Sequence, residues 1–119
     1  MFSLFLKKEK IAENDLAFAI YDGFPVSIGH TLIIPKREVP DIFDLSDKEY
    51  QSCFDLLRNV RKFLEKEFNP DGFNVGINSG EVAGQTIFHA HIHLIPRYKG
   101  DVAKPRGGIR NVIPNKGDY

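Results

Sequence analysis

Hydrophobic and polar positions along the chain change period in a way that predicts several strands and one long helix. From Asp15 to Asp22, Leu16, Phe18 and Ile20 alternate with Ala17, Ala19 and Tyr21. Both sets are apolar, as in a strand buried on both sides. Asp22-Gly23, Pro25 and Gly29 then open a loop. His30–Pro35 (HTLIIP) has the length and β-rich composition of a second strand. Phe73–Ser79 alternates Phe73, Val75 and Ile77 with Asn74, Gly76 and Asn78, and predicts another. In Gln85–Pro96 (QTIFHAHIHLIP) the alternation is strict. It predicts a strand with His89, His91 and His93 on one face and Phe88, Ala90, Ile92 and Leu94 on the core face. Gly80–Gly84 is short enough to return this strand antiparallel to the one before it.

Ser46–Phe68 follows a different period. Tyr50, Cys53, Phe54, Leu57, Val60, Leu64 and Phe68 recur every three or four residues and predict one apolar helical stripe. Ser46 and Glu49 form a capping-box pair, and Asn69-Pro70-Asp71-Gly72 ends the helix. Asp41–Leu45 reads as a single helical turn. At the start, Phe2, Leu4 and Leu6 alternate with Ser3 and Phe5 before charges take over, and no element is assigned there. Periodicity is lost after Pro96. Pro105, Gly107, Gly108, Pro114 and Gly117 predict an extended tail that lies against something. The whole reads as one α+β domain over residues 1–119. Its mainly antiparallel sheet has about five strands, with one long helix and a short one.

Charge adds one asymmetry. The 16 basic and 16 acidic residues cancel, which argues against a general binder of nucleic acid or membrane surfaces. Six of the basic residues nevertheless fall between Arg97 and Tyr119, against two acidic ones. The single cysteine, Cys53, lies in the helical stripe and reads as core, so no disulfide framework is expected. No apolar run approaches the roughly 20 residues of a membrane span. A soluble, cytoplasmic protein is the expectation.

The histidines carry the candidate chemistry. Neighbouring histidines on one strand face would sit about 6.5–7 Å apart at the backbone, close enough for one bound anion to touch more than one ring. Two-apart histidines can share a metal. However, no Cys, Asp or Glu lies between Gln85 and Pro96 to complete such a site. Imidazoles with Gln85, Thr86 and the basic tail would equally suit a phosphate-binding module without chemistry. The third reading is nucleophilic attack on phosphorus. Neutral imidazole is available near pH 7, and flanking rings can donate to phosphoryl oxygens.

His89-Ala90-His91-Ile92-His93-Leu94-Ile95 resembles the His-φ-His-φ-His-φ-φ signature (φ apolar) of the histidine triad, or HIT, superfamily. The resemblance extends from about Asp15 to Pro114, through Gly29-His30-Thr31, Ile34-Pro35-Lys36, Asn78 and Gly84-Gln85-Thr86. It implies a HIT-like fold, usually homodimeric, and a hydrolase or transferase acting on the α-phosphate of a nucleotide. By that resemblance His91 is the nucleophile, with His89 beside it and His30 hydrogen-bonded nearby. His93 and Gln85 contact the α-phosphate, and Thr86 assists the leaving group. Asp22 binds the ribose, while Asn78 and Gly84 belong to the ribose and phosphate contacts.

Ile95–Asp101 (IPRYKGD) resembles the fragile-histidine-triad branch, whose members cleave diadenosine polyphosphates. Arg97, with Arg106 and Arg110, would then meet extra phosphates. The partner implied is a purine nucleotide or dinucleoside polyphosphate such as diadenosine tetraphosphate, with no nucleic acid or membrane. The alternatives are a nucleoside phosphoramidate hydrolase and a non-catalytic nucleotide-binding module. Many bacterial relatives carry a Cys-x-x-Cys zinc half-site and a later His. Ser3, Leu6 and Glu38 stand at those positions here, so no structural zinc and no cofactor are expected. A divalent metal arriving with the nucleotide is compatible with the reading.

Overall fold

Five strands form one sheet in the order β1-β2-β3-β5-β4, every neighbouring pair antiparallel. They are β1 (Ala12–Glu13), β2 (Ala17–Tyr21), β3 (Thr31–Pro35), β4 (Gly72–Ile77) and β5 (Ile92–Arg97). This computed structural model describes residues 3–119. Met1 and Phe2 lie outside the described residues, and with them the first position of the N-terminal alternation. The α+β expectation and the antiparallel sheet hold.

One helix, α1 (Asp47–Phe68), covers one face of the sheet. Its start follows the capping-box reading. The Ser46 Oγ accepts the Glu49 amide at 3.2 Å, and the Glu49 carboxylate accepts the Ser46 amide at 2.9 Å. The same carboxylate takes Arg37 in a two-point grip at 3.0 and 2.8 Å. That grip fastens the loop after β3 to the helix and holds the Glu49 pKa down at about 2. Asn69, in the left-handed region at φ 50°, closes the helix.

The buried line on α1 is Cys53, Leu56, Val60 and Leu64, packed against Ala17, Ala19, Ile33, Ile92 and Leu94. The predicted stripe needs one correction. Phe54 is exposed and Leu56 takes its place, because the helix faces the sheet along the line that includes position 56.

The other face carries a smaller apolar layer of Phe18, Ile20, Leu32 and Ile34, closed by Phe5. Phe5 lies in a 3-10 turn, Leu4–Lys7, capped by the Ser3 hydroxyl, which accepts the Phe5 amide. The Ser3 amide donates to Glu38 at 2.7 Å and ties this turn to the loop after β3.

The histidine strand is shorter than predicted. β5 begins at Ile92, and residues 85–91 are irregular. Their polar groups bond elsewhere: the Gln85 amide to the Gly80 carbonyl, and the Ala90 amide to the Val39 carbonyl. Ala90, Ile92 and Leu94 are buried as expected, but Phe88 is half exposed. The tail is only partly extended, with a 3-10 turn at Gly108–Val112 that touches β4.

Candidate active site

β5 pairs Ile92 with Ile33 and His93 with Leu32 on β3. His93 therefore lies on the sheet face away from α1, beside the small layer closed by Phe5. Its neighbour His30 ends the loop that leads into β3. His30, His91 and His93 line one cavity of about 280 Å³ with Asp22, Asn78, Gly84 and Thr86. Phe5, Phe24, Val26, Leu32 and Ile87 complete its walls. A second cavity of about 300 Å³ shares Phe5, Asp22, Phe24, Leu32 and Ile87 and extends to Ile20, Leu4, Lys7 and Lys8. The two together pair a polar, histidine-lined end with an apolar one.

Hydrogen-bond partners assign the imidazole protons. The His91 Nδ1 lies 2.8 Å from the His89 carbonyl oxygen, which can only accept. Nδ1 therefore carries the proton, and Nε2 is the nitrogen with a free lone pair. On His30 the order is fixed from the other side. The Val26 amide donates to Nδ1 at 3.1 Å, so Nε2 carries the proton. That nitrogen faces the His93 Nδ1 at 3.0 Å and the Asp22 carboxylate at 3.4 Å. His93 then accepts at Nδ1 and donates from Nε2. Burial lowers the pKa of His30, His91 and His93, the last to about 4 with help from the neighbouring rings. All three are neutral at pH 7.

Asp22, His30 and His93 bring ligand atoms within 4.8 Å of one another, close enough to invite a metal reading. The Val26 amide opposes it. A metal needs the lone pair of the His30 Nε2 and a proton on Nδ1 to donate outward. The amide requires the reverse arrangement.

The structure separates the remaining predicted residues. The His89 ring does not line the cavity. It is buried between Phe5 and Phe18, donates through Nε2 to the Pro35 carbonyl at 2.7 Å, and leaves Nδ1 buried without a partner. Its backbone carbonyl orients His91, while its ring packs behind the site. Gln85 is also drawn away. Its buried side chain accepts the Gly80 amide at 2.9 Å and donates to the Pro40 and Ile87 carbonyls at 2.7 and 3.1 Å. Arg97 is held by Asp101 at 2.8 and 2.9 Å and by Asn74, at the far end of β5. Arg106 and Arg110 pack over the Tyr119 ring.

Five wall residues were not among the predicted site residues: Phe5, Phe24, Val26, Leu32 and Ile87. Phe5 comes from a segment to which no element is assigned, and Leu32 and Ile87 come from runs read as strand, where period alone does not mark a pocket wall. Phe24 and Val26 carried a signal, since large apolar residues flanking Pro25 in a Gly-bounded loop have no core to serve. Phe24 is 91% exposed and stands at the mouth of both cavities.

A sheet-borne cluster of neutral imidazoles beside an apolar pocket defines the class of site. The HIT domain family matches residues 5–100, and the chain belongs to that family. Bis(5'-adenosyl)-triphosphatase of Dictyostelium discoideum is 39% identical over 98 residues, covering 82% of this chain and 66% of that protein. Adenosine 5'-monophosphoramidase hnt1 of Schizosaccharomyces pombe is 41% identical over 88 residues, covering 74% and 63%. The chain thus spans just under two thirds of the length of these curated relatives. The crystal structure of a HIT family member from Bacillus subtilis superposes with a TM-score of 0.78 at 32% identity, over 98% of this chain and 89% of that one.

Proposed function

We propose that this protein is a nucleotide hydrolase that attacks the α-phosphate of a nucleoside or dinucleoside polyphosphate through His91. One observation carries the reading. The His91 Nδ1 is occupied by the His89 carbonyl, so its Nε2 lone pair is the nucleophile in a cavity that opens onto an apolar pocket. In the first step Nε2 bonds to the α-phosphorus, and the bond to the leaving-group oxygen breaks with its electron pair. The result is a nucleotidyl-His91 and a phosphate or nucleotide product. In the second step water attacks the same phosphorus, its proton is lost, and the P–N bond breaks to return neutral His91. The His93 Nε2–H donates to a phosphoryl oxygen as charge develops there. Asp22 suits a ribose hydroxyl, and Phe5, Ile20, Phe24 and Leu32 suit the base.

The leaving group has a second reading, a nucleoside phosphoramidate. It is favoured by the histidine cavity having, among the described residues, no Lys or Arg in its lining, Lys7 and Lys8 lining only the adjoining pocket, and by the tail arginines being engaged elsewhere. A long phosphate chain would call for such cations. The name of the fission-yeast relative supports the same reading.

Assays on diadenosine tetraphosphate and adenosine phosphoramidate, with rapid quench and mass spectrometry, test both. A nucleotidyl adduct is expected on the wild-type protein and not on His91→Ala. Full turnover by His91→Ala would end the covalent reading. Turnover of the phosphoramidate alone would decide for the second leaving group, and nucleotide binding without turnover of either would leave a binding module.

The same reading makes the protein a homodimer in the cytoplasm. The edge strand β4 pairs on one side only and carries half-exposed Val75 and Ile77. A monomer mass by light scattering at assay concentration would refute the dimer. No structural zinc is part of the proposal either. The Ser3 hydroxyl caps its own turn, its amide is joined to Glu38, and Leu6 offers no ligand atom. Stoichiometric zinc by elemental analysis would overturn that.

A further inference from the structure

We propose that Tyr98 is a positioning residue that keeps His93 in its donor form, acting through the loop of residues 22–29 and His30. Its role rests on the nucleotide reading only in the kinetic part of the test.

A neutral imidazole has one N–H, so the partner of one nitrogen decides the role of the other. The Val26 amide bonds the His30 Nδ1 at 3.1 Å and sends the His30 proton to Nε2. The His30 Nε2 is 3.0 Å from the His93 Nδ1, which makes the His93 Nε2 the donor. A loop amide thereby sets the polarity of a ring two residues removed in the hydrogen-bond chain. The Asp22 carboxylate, 3.4 Å from the His30 Nε2, favours the same order but at a longer distance, so without that amide a fraction of the His30–His93 bonds can run the other way. His93 then donates from Nδ1 to His30 and turns a bare Nε2 toward the phosphoryl oxygen, where lone pair faces lone pair.

The loop that carries the Val26 amide has little packing of its own. Phe24, Val26 and Ile28 are 91%, 73% and 68% exposed. Within the loop, the Phe24 amide bonds Asp22 at 2.9 Å and the His30 amide bonds the Ser27 carbonyl at 3.2 Å. At the loop's ends the Asp22 amide bonds the His30 carbonyl at 2.9 Å and the Thr31 hydroxyl bonds the Gly29 carbonyl at 2.8 Å. Among the described residues, the one hydrogen bond that reaches the loop from a distant part of the chain is from the Tyr98 hydroxyl to the Ile28 carbonyl, at 2.7 Å. Tyr98 follows directly on β5, the strand that carries His93. The hydroxyl therefore ties the Val26 loop to the same strand as the ring whose tautomer it sets.

Tyr98→Phe removes the hydroxyl and keeps the ring. Long-range nitrogen–proton NMR on histidine-labelled protein at pH 7.5 reads the tautomers directly and needs no substrate. In the wild type, His30 and His93 are expected protonated at Nε2 and His91 at Nδ1. In Tyr98→Phe, a fraction of His30 and His93 should shift to Nδ1–H. The value of kcat/KM should fall about 3–10-fold, the range one modest hydrogen bond allows. A melting temperature close to the wild type keeps the loss from being read as unfolding.

Wild-type His93 protonated at Nδ1 would overturn the proposal. Unchanged tautomers in Tyr98→Phe would do the same, whether or not activity falls, since a lower rate would then reflect only the shape of the pocket mouth. If the tautomers shift as stated but the wild type turns over no nucleotide, the relay stands and the nucleotide reading fails.

Discussion

Replacing Gln85 with Ala separates two roles for one residue. As a substrate ligand, Gln85 would support the rate and leave stability alone. Its position in the fold argues the opposite. The side chain is 3% exposed and makes three hydrogen bonds to three backbone groups, at Gly80, Pro40 and Ile87. It thereby joins the loop after β4 to the loop before α1. Each bond contributes about 1 kcal/mol net, so the sum is about 3 kcal/mol. Gly80 and Pro40 are exposed and regain water when the amide is removed, which trims the loss to about 2 kcal/mol. In a domain of this size that lowers the melting temperature by about 6–12 °C.

Urea unfolding at pH 7 measures the free energy, and an unchanged m-value would show that the folded and unfolded ensembles are otherwise the same. Activity should suffer less than stability. Gly84 and Thr86 line the cavity from the loosened loop, so KM should rise severalfold while kcat holds. A variant as stable as the wild type, with kcat down about a hundredfold, would refute the scaffold role and restore Gln85 as a substrate ligand.

Other expectations follow from the same geometry. Because burial lowers the His91 pKa, kcat/KM should stay level from pH 8 to about 6.5 and decline only below the ordinary histidine value; a decline already beginning near pH 7.5 would contradict a neutral buried nucleophile. Stability should weaken between pH 6.5 and 4. The unfolded chain takes a proton at His93 that the folded chain, with a pKa of about 4, refuses. The stabilisation is present above the unfolded value and lost as pH falls through the folded one, by at most about 3 kcal/mol. Denaturant midpoints at pH 7 and 4.5 check this, and His93→Gln should flatten the dependence. Gly29→Ala should cost about 2–4 kcal/mol, since φ is +90° and the new Cβ would lie 2.9 Å from the Phe68 ring; a melting point unchanged by the substitution would mean that the loop is free to move. Arg97→Ala should alter kcat/KM by less than about twofold, because its guanidinium is held by Asp101 and Asn74; a tenfold rise in KM for a dinucleotide would return Arg97 to the substrate.

What was legible in the sequence is what burial dictates periodically. β2 and β3 were readable because their residues are buried on both faces, and α1 because its cap and buried line repeat along one axis. Residues 85–91 looked like strand for a different reason. Their alternation is real, but it is not made by a ladder. The His89 ring is turned to the Pro35 carbonyl, and the Ala90 amide reaches Val39. No rule of period two distinguishes such a segment from a strand, and the irregular loops that supply Phe5 and Phe24 have no period at all. The break in the strand is nonetheless what makes the site. A ladder continued through His89 would use its carbonyl for a neighbouring strand and set all three rings in one row. Because β5 begins only at Ile92, that carbonyl is free to take the His91 Nδ1 proton. The His89 ring packs between Phe5 and Phe18, and His91 is left with one bare nitrogen beside a donor. Evenly spaced histidines in the sequence thus become three unlike groups: one that packs, one that attacks and one that donates.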